Sequence, residues 1–184
     1  MSVRDPDAPK ARAPSSRSEG PAVEMRHGAG GPAMRELVSS VFARSAKAVD
    51  GIGLGALDDG AALRLGDRWL VFTTDGHVID PPFFPGGDIG RLAVCGSVND
   101  LAVMGATEVL GLSLGVVVEE GFARARLEAI QASVEAACAE AGTTVLTGDT
   151  KVMRRGELDG VVLTSSAIGL VRPGADPVQD AGLR

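Results

Sequence analysis

Residues 61–77 read AALRLGDRWLVFTTDGH, and the fold turns on how this stretch is parsed. Ala61–Leu65 and Trp69–Thr74 are short, largely apolar runs, and Gly66-Asp67-Arg68 between them is a turn with a glycine, so the two runs form a β-hairpin. Asp75 then emerges where the second strand leaves the core. Downstream, Asn99-Asp100 and Gly148-Asp149-Thr150-Lys151 repeat the pattern of oxygen ligands next to apolar elements. That recurrence points to a divalent cation holding a nucleotide phosphate.

Outward from the hairpin the pattern alternates. Small and apolar residues from Asp88 to about Gly105 predict a helix with Ile89, Leu92, Ala93 and Gly96 on one face, able to lie close to a sheet. Val109–Val118 reads as a strand. Leu127, Ile130, Val134 and Ala137 or Ala141 mark an amphipathic helix that Gly142 ends. Thr143–Thr147 and Val161–Val171 complete the strands, with a charged connection from Met153 to Asp159. The order β-β-α-β-α-β-β predicts an α+β domain in two layers, a mixed sheet with helices on one face. Val, Leu and Ile on both sides of the Val109 and Val161 strands predict that a homodimer covers the open face. Upstream, Met34, Leu37, Val38, Val41 and Phe42 recur at helical spacing after the glycine-rich run His27-Gly28-Ala29-Gly30-Gly31, and residues 1–24, rich in Pro, Ser, Arg and Ala, read as a disordered tail.

The 184 residues are 45% hydrophobic and 23% charged, enough for one good-sized domain and a tail. A net charge of −6 without any Lys/Arg-rich run argues against a nucleic-acid partner. No run approaches the length of a membrane span, and the charged, proline-bearing N-terminus lacks the apolar stretch of a signal peptide. Cys95 and Cys138 are far apart and have no metal-ligand spacing to His27 or His77, so reduced thiols and a cytoplasmic protein are expected.

Asp58 and Asp59 precede the first strand of the hairpin, Asp75 follows its second strand, Asp100 lies within a helix and Asp149 follows the Thr143 strand. A carboxylate beside Val98, Leu101 and Met104 is costly to bury without a partner, and magnesium supplies one. Taken singly, each aspartate is equally readable as a cap or turn residue, as in Asp59-Gly60 and Asp75-Gly76. Lys151 stands where it can meet a phosphate or a substrate amide, or be a solvated lysine beside Arg154 and Arg155. The His27–Gly31 run can wrap phosphates with backbone N–H groups. His77 reads equally well as an exposed loop residue or a ligand contact.

At these positions the chain resembles the HypE family of hydrogenase expression/formation proteins, within the superfamily of aminoimidazole ribonucleotide synthetase, thiamine-monophosphate kinase and selenophosphate synthetase. The resemblance is carried by HGAGG with Met34 (27–34), DDGAA (58–62), FTTDGHVI (72–79), PPFFPGGDIGRLAVCGSVNDLAVMGA (81–106), EEGF (119–122) and TGDTKV (147–152). It implies a PurM-like N-terminal fold over residues 25–171 and an ATP-dependent dehydration: a carbamoyl group on a C-terminal cysteine becomes a thiocyanate whose cyanide goes to the iron of nickel-iron hydrogenase. By the same resemblance Asp59, Asp75, Asp100 and Asp149 hold magnesium and ATP, with Asp58 assisting. Thr73, Thr74, Asn99, His27, Gly28, Gly30 and Gly31 line the nucleotide, while Lys151 and Asp75 act at the reacting group. The implied partners are a second copy, the carbamoyltransferase HypF and the HypC–HypD scaffold. Family members carry a second domain and the acceptor cysteine, so residues 172–184 read as the start of a linker and this chain is expected to supply the ATP-binding half, inactive alone. An ATP-dependent kinase or synthetase of the same superfamily, or a non-catalytic dimerising module, are the competing readings.

Overall fold

The computed structural model describes residues 22–182, so the expected tail lies almost wholly outside the described residues. Two units are distinguished, residues 1–45 and 46–184. In the first, the helix read from Met34 to Phe42 is broken into α1 (Gly31–Leu37), a wider turn at Val38–Phe42 and a tight turn at Ala43–Ser45. Gly30 and Gly31 both sit at φ +77, a conformation that side chains disfavour, which is why glycines open this helix.

The second unit holds the hairpin, and it forms as the pattern predicts. Strand β1 (Gly51–Ile52) pairs with β2 (Ala61–Leu65), which pairs with β3 (Arg68–His77) through a two-residue turn in which Gly66 takes φ +63. A small hairpin, β4 (Phe83–Phe84) and β5 (Gly87–Asp88), then feeds α2 (Ile89–Val103), whose N-terminus is capped by Asp88 accepting from the Arg91 N–H at 3.0 Å. Strand β6 (Ala106–Glu119), α3 (Arg124–Glu140), β7 (Val145–Met153) and β8 (Val161–Val171) complete the unit. Gly142 at φ +66 ends α3 in a Schellman motif: Thr143 N–H donates to the Cys138 carbonyl and Gly142 N–H to that of Ala139.

The main sheet has the order β1-β2-β3-β8-β6-β7, with only β6 and β7 parallel, joined by the α3 crossover. It is the expected two-layer mixed sheet with α2 and α3 on one face. Ile89, Ala93, Ser97 and Leu101 recur every fourth residue on the buried stripe of α2 and Ile130, Val134, Ala137 and Cys138 on that of α3, while Leu92 turns outward. Small residues let the layers close up. A Cβ on Gly90 would lie 2.5 Å from the Ile130 carbonyl, so only glycine permits this helix crossing.

Three boundaries differ from the sequence reading. β3 runs on through Asp75 to His77 because β8 keeps pairing with it, Asp75 opposite Ser165 and His77 opposite Leu163. β7 starts later and extends through Asp149 and Lys151, paired in parallel with β6. The segment after β8 folds back: Val178 N–H donates to the Met104 carbonyl at 3.0 Å, and Trp69 Nε1–H to Asp176 at 3.2 Å.

Burial pushes the Cys138 thiol pKa up, whereas Cys95 is only partly covered. Alkylation of the native protein at neutral pH is therefore expected to label Cys95 first and Cys138 only after unfolding, as peptide mass spectrometry would record; early labelling of Cys138 would contradict the packing of α3.

Candidate functional site

A strand alternates its side chains between faces, and this rule divides the expected site. Val71, Thr73, Asp75 and His77 of β3 face the helices, whereas Phe72, Thr74 and Gly76 face the opposite side. Register carries the division across the sheet: Gly76, Thr164, Gly115 and Asp149 form one transverse row on the open face, and Thr74, Ser166, Ser113 and Thr147 form the next. Asp149 therefore lies on the face opposite Asp75 and three strands away, roughly 14 Å. It pairs with Lys151 at 2.8 Å, and that hydrogen bond and charge hold the exposed Asp149 carboxyl below the usual range.

On the helix side the structure gathers Asp59, Asp75 and Asp100 about Thr73. The buried Thr73 hydroxyl lies 2.8 Å from both the Asp59 carbonyl and Asp100 Oδ2. One hydroxyl proton cannot serve two acceptors, so the trio is fully satisfied when Asp100 itself carries a proton. Desolvation raises the Asp100 pKa, partly offset by the Thr73 hydrogen bond, and the charges of Asp59 and Asp75 raise it further. Among the described residues, His77 partly offsets these charges.

Asp75 is held by its own surroundings. Its Oδ1 accepts from the Gly76 N–H at 2.8 Å, and Oδ2 lies 3.6 Å from His77 Nε2. A Cβ on Gly96 of α2 would come within 2.9 Å of that Oδ2, so the glycine leaves the space that the carboxylate occupies. Beside this cluster, a recess of about 270 Å³ is lined by Leu54, Asp58, Asp59, Phe72, Thr73 and Thr74. Its lining thus combines the apolar Leu54 and Phe72 with the acidic Asp58 and Asp59 and the hydroxyl-bearing Thr73 and Thr74. A larger cavity of about 440 Å³ under α3 is lined mainly by apolar residues, and its two charged groups, Arg124 and Glu128, are paired with each other at 2.8 Å.

Asp58 accepts from the Asp180 N–H at 3.3 Å and so ties down the returning C-terminal segment. Asn99 is exposed, roughly 100° around α2 from Asp100. His27, Gly28, Gly30 and Gly31 belong to the first unit, where His27 Nδ1 accepts from the Glu24 N–H at 2.8 Å.

Among the described residues no three His, Cys, Asp or Glu side chains are close enough to enclose a metal ion. That leaves no protein cage for calcium or zinc. Magnesium asks for less, one or two carboxylates with phosphate oxygens and water completing the shell. The donor set fits it: neighbouring carboxylates, one of which, Asp100, is driven toward protonation by burial and by the charges of the other two.

The sequence left His77 open between an exposed loop residue and a ligand contact, and it is buried; Ser165, which meets it, and Ser97, bonded to Ser165, were not singled out. Continuing the period-two pattern of Val71, Thr73 and Asp75 by one step would have turned His77 inward.

This sheet and its two covering helices agree with the comparisons. Residues 57–171 match the AIR synthase related protein, N-terminal domain, and the chain belongs to that family. Within it, the chain is 48% identical over 152 residues to the carbamoyl dehydratase HypE of Azotobacter vinelandii, a match covering 83% of this chain and 43% of the relative. It is also similar to HypE in a solved HypE–HypF complex, with TM-score 0.68 and 39% identity over 76% of this chain and 44% of that one. A HypE structure in complex with ATP aligns with TM-score 0.55 and 42% identity, covering 79% of this chain and 42% of that one. The chain thus spans less than half the length of the relatives it matches.

Proposed function

We propose that this chain is the nucleotide-binding half of an ATP-dependent carbamoyl dehydratase in nickel-iron hydrogenase maturation. The observation that carries the reading is the cluster of Asp59, Asp75 and Asp100 about Thr73, in a chain 48% identical to such an enzyme and similar to a HypE solved with ATP. In the reaction, the oxygen of a protein S-carboxamide is phosphorylated by the γ-phosphate of ATP, the nitrogen loses two protons and phosphate departs with that oxygen, leaving a thiocyanate, ADP and inorganic phosphate.

Residues 25–171 are the domain that binds ATP, and residues 172–184 lead toward the rest of the enzyme. One or two of Asp59, Asp75 and Asp100 would hold each magnesium ion together with phosphate oxygens and water, and the metal would neutralise the phosphate charge. Thr73 fixes Asp100, and the recess beside Asp59 receives the uncharged part of the nucleotide. Phe72, 44% exposed, heads an open sheet face that also carries Ile168 and Leu170. A second copy covering that face would bring the Asp149–Lys151 pair into an enclosed cleft, where Lys151 acts on the amide. HypF and the HypC–HypD scaffold are partners in the same proposal, in the cytoplasm.

Calorimetry with ATP, with and without magnesium, tests the reading: magnesium-dependent micromolar binding is expected, and no binding, or binding indifferent to the metal, would overturn it. Gly96→Ala sharpens the test. Crowding Asp75 is expected to cost about 1 kcal/mol of binding, roughly fivefold in affinity, while the melting temperature holds because alanine suits a helix better than glycine. Unchanged affinity would mean that the space beside Asp75 is irrelevant to the ligand.

A further inference from the structure

We infer that His77 positions Asp75 for its role at the metal, through an Nε2–H imposed by buried hydroxyls. The inference rests on the reading of Asp75 as a metal ligand and adds a residue to it. Ser165 Oγ lies 2.9 Å from the Ala93 carbonyl, 2.7 Å from Ser97 Oγ and 3.1 Å from His77 Nε2. A carbonyl cannot donate, so the single Ser165 proton goes to Ala93. The Ser165 oxygen then accepts from Ser97 and from His77, and the imidazole must carry its proton on Nε2.

That same N–H lies 3.6 Å from Asp75 Oδ2, while the Gly76 N–H holds Oδ1 at 2.8 Å. Oδ1 is held by a hydrogen bond, whereas Oδ2 only feels the positive end of the imidazole N–H, which is donated to Ser165, as a through-space attraction across 3.6 Å that favours one orientation of the carboxylate. Two more features serve this arrangement. The ring is 5% exposed, so water does not compete for its N–H, and Gly96 leaves room for both side chains, since a Cβ there would lie 3.0 Å from His77 Cε1. Ser97 and Ser165 are buried among apolar residues of α2 and β8, positions where alanine would pack as well; passing a defined donor to His77 explains the hydroxyls.

The test compares the wild-type chain with His77→Phe, which keeps a ring and loses the donor, and His77→Gln, which restores an N–H of similar reach. Magnesium–ATP affinity is expected to fall about tenfold in His77→Phe and to return to within about threefold of wild type in His77→Gln, with metal-free ATP binding unchanged in both. Equal affinities in all three, or equal losses in the two variants, would overturn the inference. If the wild type binds no nucleotide, the metal reading of Asp75 fails and the positioning is read from the free protein. Nitrogen NMR should then place the His77 proton on Nε2, and the Asp75 carboxyl-carbon resonance should move in His77→Phe and recover in His77→Gln. A proton on Nδ1, or an Asp75 resonance unmoved in His77→Phe, overturns the inference on its own.

Discussion

Asp75→Asn is expected to weaken magnesium–ATP binding by about 10- to 100-fold, the worth of one charge-assisted contact of about 1.5–3 kcal/mol, and to leave the fold intact. The substitution is selective because the amide oxygen of Asn can still accept from the Gly76 N–H that now holds Asp75 Oδ1. Strand pairing with Ser165 is a backbone property and does not change. What disappears is one negative charge, and with it part of the repulsion that raises the Asp100 pKa. Metal-free ATP should therefore bind no worse, since the variant presents less negative charge to the phosphates. Titration calorimetry with and without magnesium, alongside a thermal melt, separates these effects. Equal losses with and without the metal would remove Asp75 from any metal site and leave it a structural residue.

Most of the fold was legible because burial periodicity and turn chemistry agreed. The hairpin, the small-residue helix and the crossover helix each combine a strong apolar period with a glycine or an acidic cap at the end, and these local signals point the same way as the sheet. The strand ends were not legible. Asp75-Gly76 has turn chemistry, yet β8 continues to pair beside it, and a long-range partner outweighs a local preference. The same holds for Asp149 and Lys151, which β6 draws into β7.

The candidate site residues could be named from the sequence, but their arrangement in space could not be read there. The spacing from Asp75 to Asp149 says nothing about which face of a sheet each occupies, because that depends on register across β8 and β6. His77 illustrates the converse. A single histidine after a glycine carries no burial signal, and only the Ser165 and Ala93 positions supplied by other elements make it part of the cleft.

The division between faces bears on how a half-length chain can work. Asp59, Asp75 and Asp100 meet within one copy, held by α2 and β3. The Asp149–Lys151 pair is 66–69% exposed on the uncovered face, where the two charges satisfy each other in solvent and bind nothing strongly. Under the proposed function, such a pair gains importance only when a second copy excludes water, so nucleotide binding would survive in a monomer while action on a substrate amide would not. Dimer dissociation and nucleotide affinity are thereby expected to be separable properties.

Leu163→Ala is expected to lower global stability by about 2–5 kcal/mol, the range for emptying a fully buried leucine site. Leu163 has no exposed surface and lies on the helix-facing row of β8, the strand flanked by β3 and β6 and opposite both His77 and Val116. Strands hydrogen-bonded on both sides cannot shift inward to fill the void, so the cavity persists and the loss should approach the upper part of that range. The effect should reach the site only through unfolding. Leu163 touches the cluster's neighbourhood through His77, two residues along β3 from Asp75, yet the hydroxyl chain that holds His77 starts from Ser165 and is untouched by the change. Urea denaturation should show a lowered midpoint with an unchanged slope. Magnesium–ATP affinity of the folded fraction should stay within about twofold of wild type, since the hydrogen bonds that fix His77 run through Ser165, Ser97 and Ala93 and do not include the Leu163 side chain. A loss of affinity as large as that of Asp75→Asn in a variant still folded would mean that the core beneath β8 sets the geometry of the cleft directly, and that the His77–Ser165 contact is not rigid enough to insulate it.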